Sequence, residues 1–317
     1  MLSPDEIDSV LKTLEQRLNE NLTNDQLILN ATTVGAADIV QLLGNIVATA
    51  DPELTITDAR ITTGPDNRSV TVIGQCILPG NTQACAVQAL FEAPDGQLTL
   101  KLDLAPGTGT FASSFPELAH SFFDNLILTA PHLVLSSCSY TYLSSDGALQ
   151  VPIQRGLNFF AQVTIAGVLQ SALSILWDSH DAVLLYGTIE VHDDQRDFHL
   201  KTQTLVETPT LSLTGMTALV LTDLSLEVES LFATDGQSRN NRAYIYATTD
   251  LGIRQRLAIQ LPVEQSVWTI SLAPDTQAPL TMANLLMMMG GQQVLTTTLP
   301  DGLLANLQNL SLSQFSI

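Results

Sequence analysis

LTDLSL, residues Leu221–Leu226, recurs along the chain as LTAPHL at Leu128–Leu133, as LQNLSL at Leu307–Leu312 and as ITDARI at Ile56–Ile61. The four stretches read as copies of one strand, because self-similarity at domain-scale intervals is the mark of a repeated structural unit. Their first residues, at 56, 128, 221 and 307, lie 72, 93 and 86 residues apart. Those intervals are too uneven for a tight solenoid and fit a larger unit with variable loops.

Working outward, three copies carry a candidate helix upstream. DIVQLLGNIV (Asp38–Val47), PELAHSFFDN (Pro116–Asn125) and TMANLLMMMG (Thr281–Gly290) place apolar residues at helical spacing. The copy at Leu221 follows LVETPTLSLTGMTA, which reads as extended chain. Downstream of the first three copies come three apolar runs each, bounded by turn residues. They are VTVIGQCIL, ACAVQALFEA and QLTLKLDLA; then LNFFAQVTIAG, SALSILWDS and AVLLYGTIEV; then AYIYATTDLG, QRLAIQLPV and SVWTISLAP. The run LTLKLDL alternates strictly, as a strand with one buried face does. The expected fold is mainly β (α+β), with repeated antiparallel units that each carry a short helix. The units are a partial one at 23–66 and full ones at 67–137, 138–230 and 231–317.

Residues 1–22 form a separate element. Ser3 before Pro4, with Glu6 three positions on, is a capping-box start with proline at the first helical position. Ile7, Leu11, Leu14 and Leu18 then lay one apolar stripe on an acidic and polar helix. The stripe is expected to cap the β body, and docking of another protein is the alternative. At the other end the last strand copy runs toward Ile317, so Leu312 and Phe315 mark an edge expected to pair with another protein or with further repeats.

The charge balance narrows the partners. Asp and Glu number 32 against 12 Lys and Arg, a formal net charge of −20. Phosphate backbones and anionic membrane surfaces are repelled by such a chain, so nucleic acid is not an expected partner. Nowhere do about 18 consecutive apolar residues occur, which removes a spanning helix from expectation. With no basic, apolar leader at the start, the default compartment is cytoplasmic, with signal-independent export left open. Three cysteines without C-x-x-C spacing argue against a zinc cage or a redox motif. If Val70–Leu78 and Ala84–Ala93 form a hairpin about Pro79–Thr82, symmetric pairing sets Cys76 opposite Cys85. Buried free thiols are the expectation there, and whether the two are bonded stays open.

Candidate chemistry is sparse. His192, Asp193, Asp194, Asp197 and His199, with Asp178, His180 and Asp181 at the preceding turn, have the residue types of metal ligands. The two groups are separated by a strand length, and no EF-hand or H-E-x-x-H spacing is present. A solvated hairpin turn is therefore expected, with His192, Asp194 and Asp197 as the weak candidates for a divalent cation. The serines lack a G-x-S-x-G elbow, and Gly290–Gly291 fits a helix C-cap better than a phosphate cradle. No catalytic residue and no cofactor is expected.

The LTDLSLEV strand, the tryptophan strand SVWTISL and the helix TMANLLMMMG followed by LPDGLLANLQNLSLSQFSI together resemble the units of very long bacterial and fungal β-repeat proteins. That resemblance spans residues 50–317 in texture and implies an extended scaffold, with no activity or site residues to carry across. The functional expectation is a non-enzymatic structural or interaction module that contacts partners or other copies of itself. One alternative is a binding module for an apolar ligand such as a lipid, motivated by a mean hydropathy of +0.22. Least expected is a hydrolase whose site gathers from several repeats.

Overall fold

A computed structural model describes residues 4–47, 51–65, 67–78, 83–94, 96–144, 147–174, 181–192, 195–204, 210–211, 219–232, 238–250, 254–261, 263, 269–273, 280–281 and 311–312. The protein is mostly β, with antiparallel strands, few helices and a helix at the N-terminus. It divides into two compact units. The first holds Met1–Thr164, Leu184–Leu200 and Ser230–Arg239, and the second holds Ile165–Val183, Lys201–Glu229 and Asn240–Ile317.

In the first unit, helix α1 (Pro4–Asn21) precedes a short strand β1 (Leu27–Leu29) and helices α2 (Ala31–Val34) and α3 (Ala37–Val47). Strands β2 (Leu54–Thr63), β3 (Ser69–Ile77), β4 (Ala84–Glu92) and β5 (Thr99–Ala105) follow as a meander. After β6 (Gly109–Thr110) come α4 (Phe111–Ser114) and two 3₁₀ turns, Pro116–Leu118 and Phe122–Asn125. Next are β7 (Leu126–Ser136), the hairpin β8 (Tyr140–Leu143) and β9 (Gln150–Ile153), and β10 (Gly156–Ile165). The unit ends with β11 (Val183–His192) and β12 (Gln195–Thr202, in this unit to Leu200). Sheet order is β1-β2-β3-β4-β5-β7-β10-β11-β12, with β6 beside β7 and β8–β9 as a separate pair.

Strand alternation sorts the side chains onto two faces. Val72, Ala89, Leu102 and Leu135 sit on one cross-strand row and are all fully buried. Ile73, Gln88, Asp103 and Val134 form the neighbouring row on the other face, and Ile73 there is 41% exposed. A phenylalanine cluster covers the buried face, with Phe111 4.8 Å from Phe159, 5.4 Å from Phe123 and 5.5 Å from Phe115. Burial of rings this size gives the largest apolar contribution per residue, and tilted or edge-on contacts at these separations add to it.

Leu11, Leu14 and Leu18 of α1 are buried within the chain. These three residues of the stripe therefore face the chain's own core rather than solvent. Thr63 on β2 donates to Glu15 on the polar side of the same helix at 2.6 Å. Pro4 opens α1, whereas Ser3 and the side chain of Ile7 lie outside the described residues.

The copied strand shows the same backbone event at three places. Asp58 in β2, Ala130 in β7 and Asp223 in the second unit adopt φ of 51°, 47° and 52°. Each is the third residue of its copy, after Ile-Thr or Leu-Thr. Pairing of β2 with β3 shifts register between Thr57 and Arg60, which is a β-bulge. At the residue after the bulge the backbone N–H leaves the ladder: Ala59 N donates to Asp25 O at 2.8 Å, and Pro131 has no N–H to place. Proline within a central strand is tolerated at such a bulge. β7 changes partner across Pro131, pairing Ile127 and Leu128 with β6 and Leu133–Ser136 with β5. Gly74 lets the bulged strand come close, since a Cβ there would sit 2.5 Å from both Ile56 Cγ2 and Thr57 O.

The second unit contains α5 (Gly167–Leu173), β13 (Thr210–Leu211), β14 (Leu219–Val220), β15 (Thr222–Phe232, in this unit to Glu229), β16 (Arg239–Asp250, in this unit from Asn240), β17 (Arg254–Gln260), β18 (Thr269–Leu272), β19 (Leu280–Thr281) and β20 (Ser311–Leu312). β15 to β18 form a meander whose inward residues include Leu226, Val228, Ile245 and Ile259. Asp223, the left-handed residue of β15, pairs with Arg254 at 2.5 Å, and this contact holds its carboxyl below the usual range.

Two predicted elements change. The run Ser171–Ser179 begins in helix α5, because Leu169, Ala172 and Leu173 make a buried helical face. The helix expected over Pro116–Asn125 is broken at His120, whose φ is 63° and whose N–H is caught by Asp124 Oδ2 at 2.8 Å. At the C-terminal edge, Leu312 pairs with Leu280, so that backbone has an intrachain partner, while Phe315 lies outside the described residues. The helix expected at Thr281–Gly290 falls outside them beyond Thr281, which itself belongs to β19.

Candidate functional site on the open face of the first unit

The face away from the phenylalanine cluster carries the polar side chains of β2 to β7. Strict alternation in LTLKLDL sends Lys101 and Asp103 to it, while Leu100, Leu102 and Leu104 go inward. Lys101 Nζ bonds Glu92 Oε2 at 2.6 Å and lies 4.9 Å from the Tyr140 ring centroid. Asp103 accepts from His132 Nδ1 at 2.9 Å.

Hairpin β8–β9 folds over the end of this face and closes a small second core. Val134, Val151, Ile153, Phe160 and Leu184 are buried there, with Tyr140, Tyr142 and Tyr186 packed against them. His132 stacks on Phe160 at 4.6 Å and 12°, with Tyr142 at 5.6 Å on its flank. Burial pushes both Tyr140 and Tyr142 hydroxyls above the ordinary value, and the Asp103 carboxylate adds to the effect. Asn158, buried at the start of β10, anchors the hairpin: its Oδ1 accepts from Gln154 N at 2.9 Å and its Nδ2 donates to Gln154 O at 2.8 Å.

Beside this wall the open face forms a groove of about 540 Å³. Ile73, Gln75 and Gln88 floor it, Arg60 stands on one side, and Asp103 with His132 and Tyr142 stands on the other. A floor of one exposed isoleucine between two glutamines, with charges of both signs along the rim, suits a protein or peptide contact. Asp103 orients His132 through Nδ1, an arrangement also found in general bases. No serine or cysteine is among the residues lining this groove.

A second polar cluster sits on β12. Arg196 Nη1 pairs with Glu117 Oε1 at 3.0 Å, and its Nη2 donates to Ile46 O at 3.2 Å. Arg239 Nε donates to Ser230 Oγ at 2.8 Å, Nη2 donates to Arg196 O, and the guanidinium lies 4.3 Å from the Phe232 ring centroid. Burial lowers the Arg239 pKa. These contacts tie α3, the 3₁₀ turn at Pro116 and β12 together and read as structural.

The metal candidates do not gather. His192 is exposed, with Nε2 3.5 Å from Glu190 Oε2. Asp197 lies in strand β12 rather than in a turn, and its Oδ1 accepts from Phe232 N at 2.8 Å. Asp194 lies outside the described residues. Among the described residues no group of three or more His, Cys, Asp and Glu could hold a metal ion. Sequence reading missed the His132–Asp103 pair, because P-H-L looked like strand filler; the signal was the outward parity of Asp103 beside an outward histidine.

Cys76 and Cys85 face each other in register, and their sulfurs are 3.5 Å apart. Both are free and buried. A separate cavity of about 370 Å³ lies over Cys85, lined also by Thr108, Gly109 and Ser113.

No family model, curated protein or solved structure matches the chain.

Proposed function

We propose that this protein is a non-enzymatic β-repeat module that acts as a scaffold or assembly element for protein partners or for other copies of itself. The observation that carries the reading is the left-handed residue that recurs at the third position of the copied strand, at Asp58, Ala130 and Asp223. A chain that reuses one strand device extends by adding strands, and such architectures present broad surfaces rather than one enclosed site. The open face of the first unit is the surface that fits contact best, because Ile73 and Ile77 stand exposed on it at 41% and 59% beside the charged rim. Its partner is a protein segment offering apolar side chains to Ile73 and hydrogen-bonding groups to Arg60 and Asp103.

Light scattering coupled to size exclusion, with affinity capture of the full chain, tests this. Self-association or a retained partner is expected, weakened in the double variant Ile73→Glu, Ile77→Glu. A strict monomer that retains nothing would count decisively against an assembly role.

A further inference from the structure

We propose that Cys76 and Cys85 are a reactive dithiol site that accepts a low-molecular-weight disulfide through the cavity over Cys85 and closes to a cross-strand disulfide.

The geometry carries this. The two residues are direct partners in the β3–β4 ladder. Facing residues of antiparallel strands hold their Cα atoms about 4.5–5.5 Å apart, inside the window of about 4.4–6.8 Å that a disulfide spans. The sulfurs already stand 3.5 Å apart, so closure to about 2.05 Å is a small local movement. The two thiols also differ in access. Cys85 lines the 370 Å³ cavity and Cys76 does not. Cavity-wall hydroxyls on Thr108 and Ser113 give a polar incoming disulfide something to bond.

The electrostatics agree with that division of labour. The S–H···S hydrogen bond lowers Cys85 and raises Cys76, which favours Cys85 over Cys76 as the sulfur that gives up its proton. The Cys85 thiolate attacks one sulfur of the small disulfide, breaking its S–S bond and expelling one small thiolate. Cys76 then attacks Cys85 Sγ, and its proton passes to a departing thiolate. The mixed disulfide breaks, Cys76–Cys85 forms, and both electrons end on the two released small thiols.

The test exposes the reduced full chain to oxidised glutathione, quenches with acid, unfolds, alkylates and maps the peptides. Of the three cysteines, Cys76 and Cys85 lose alkylation together and appear as a linked peptide pair, while Cys138 stays alkylated. In Cys76→Ala, glutathione remains attached at Cys85. In Cys85→Ala, Cys76 stays alkylated. Circular dichroism of both variants, matched to the parent, shows that the fold is kept. Full alkylation of Cys76 and Cys85 in the treated parent, or glutathione carried on Cys138 alone, overturns the proposal.

Discussion

Replacing Ala130 by glycine is expected to stabilise the first unit, although glycine within a strand ordinarily weakens it. Ala130 lies in β7 with φ of 47° and is exposed, so the substitution removes no packing. An L-residue in the left-handed region costs about 1–2 kcal/mol. Glycine escapes that cost and adds about 0.5–1 kcal/mol of backbone entropy to be lost on folding. The net is a gain of about 0.5–1 kcal/mol. Ala86, exposed in β4 and without a positive φ, supplies the matched control, and Ala86→Gly is expected to lose about 0.5–1 kcal/mol. With a urea m-value of about 2 kcal/mol/M, the two variants move the midpoint in opposite directions by about 0.3–0.5 M. Urea titration by circular dichroism measures the shift, and hydrogen exchange over β7 peptides localises it. If Ala130→Gly destabilises as much as Ala86→Gly, the bulge conformation is wrong and the repeat argument loses its main support.

Other expectations follow from single contacts. Gly187→Ala drives a Cβ into the carbonyl of His199 and against Leu200 Cα, backbone that cannot step aside, and is expected to cost about 3 kcal/mol or more by urea titration; Gly107→Ala, with open space around it, is expected to be near neutral. Asn158→Asp turns two donors toward the carbonyls of Gln154 and Gly156 into an acceptor, a loss of about 3 kcal/mol seen as faster exchange in β8 and β9. Burial, with Glu227 and Glu229 nearby, pushes Tyr246 up to about 12, against the cation of Arg256 over its ring. Because the folded value is the higher one, the stability it contributes is complete below about pH 10 and is lost as pH rises toward 12. Ultraviolet titration should show several late-ionising tyrosines, Tyr140 and Tyr142 among them, and one fewer in Tyr246→Phe.

Much of the β architecture was legible because its signals are local. Alternation in LTLKLDL fixed which side chains face inward, and palindromic pairing about Pro79–Thr82 set Cys76 opposite Cys85, as the ladder has it. The helix over Asp38–Val47 followed from apolar spacing alone. What was illegible depended on partners far along the chain. Each strand of hairpin β8–β9 is four residues long, too short to stand out by alternation, and its reason to fold is the apolar patch made by Val134, Phe160 and Leu184. The break at His120 depends on a capture by Asp124 that no periodicity announces. The left-handed residues hid in plain view: aspartate at two of the three places tolerates that conformation, and at the third the following proline, with no N–H, marked a break in the ladder.

The three-residue strand β1 has a consequence for growth. It covers only Leu54–Ile56 of its neighbour, and just past it the Ala59 amide is already engaged by Asp25. A foreign strand arriving at that border would find a short, partly occupied row of amides, a poor template for continuous pairing. Lengthening of the sheet by recruited chains is thus discouraged on this side.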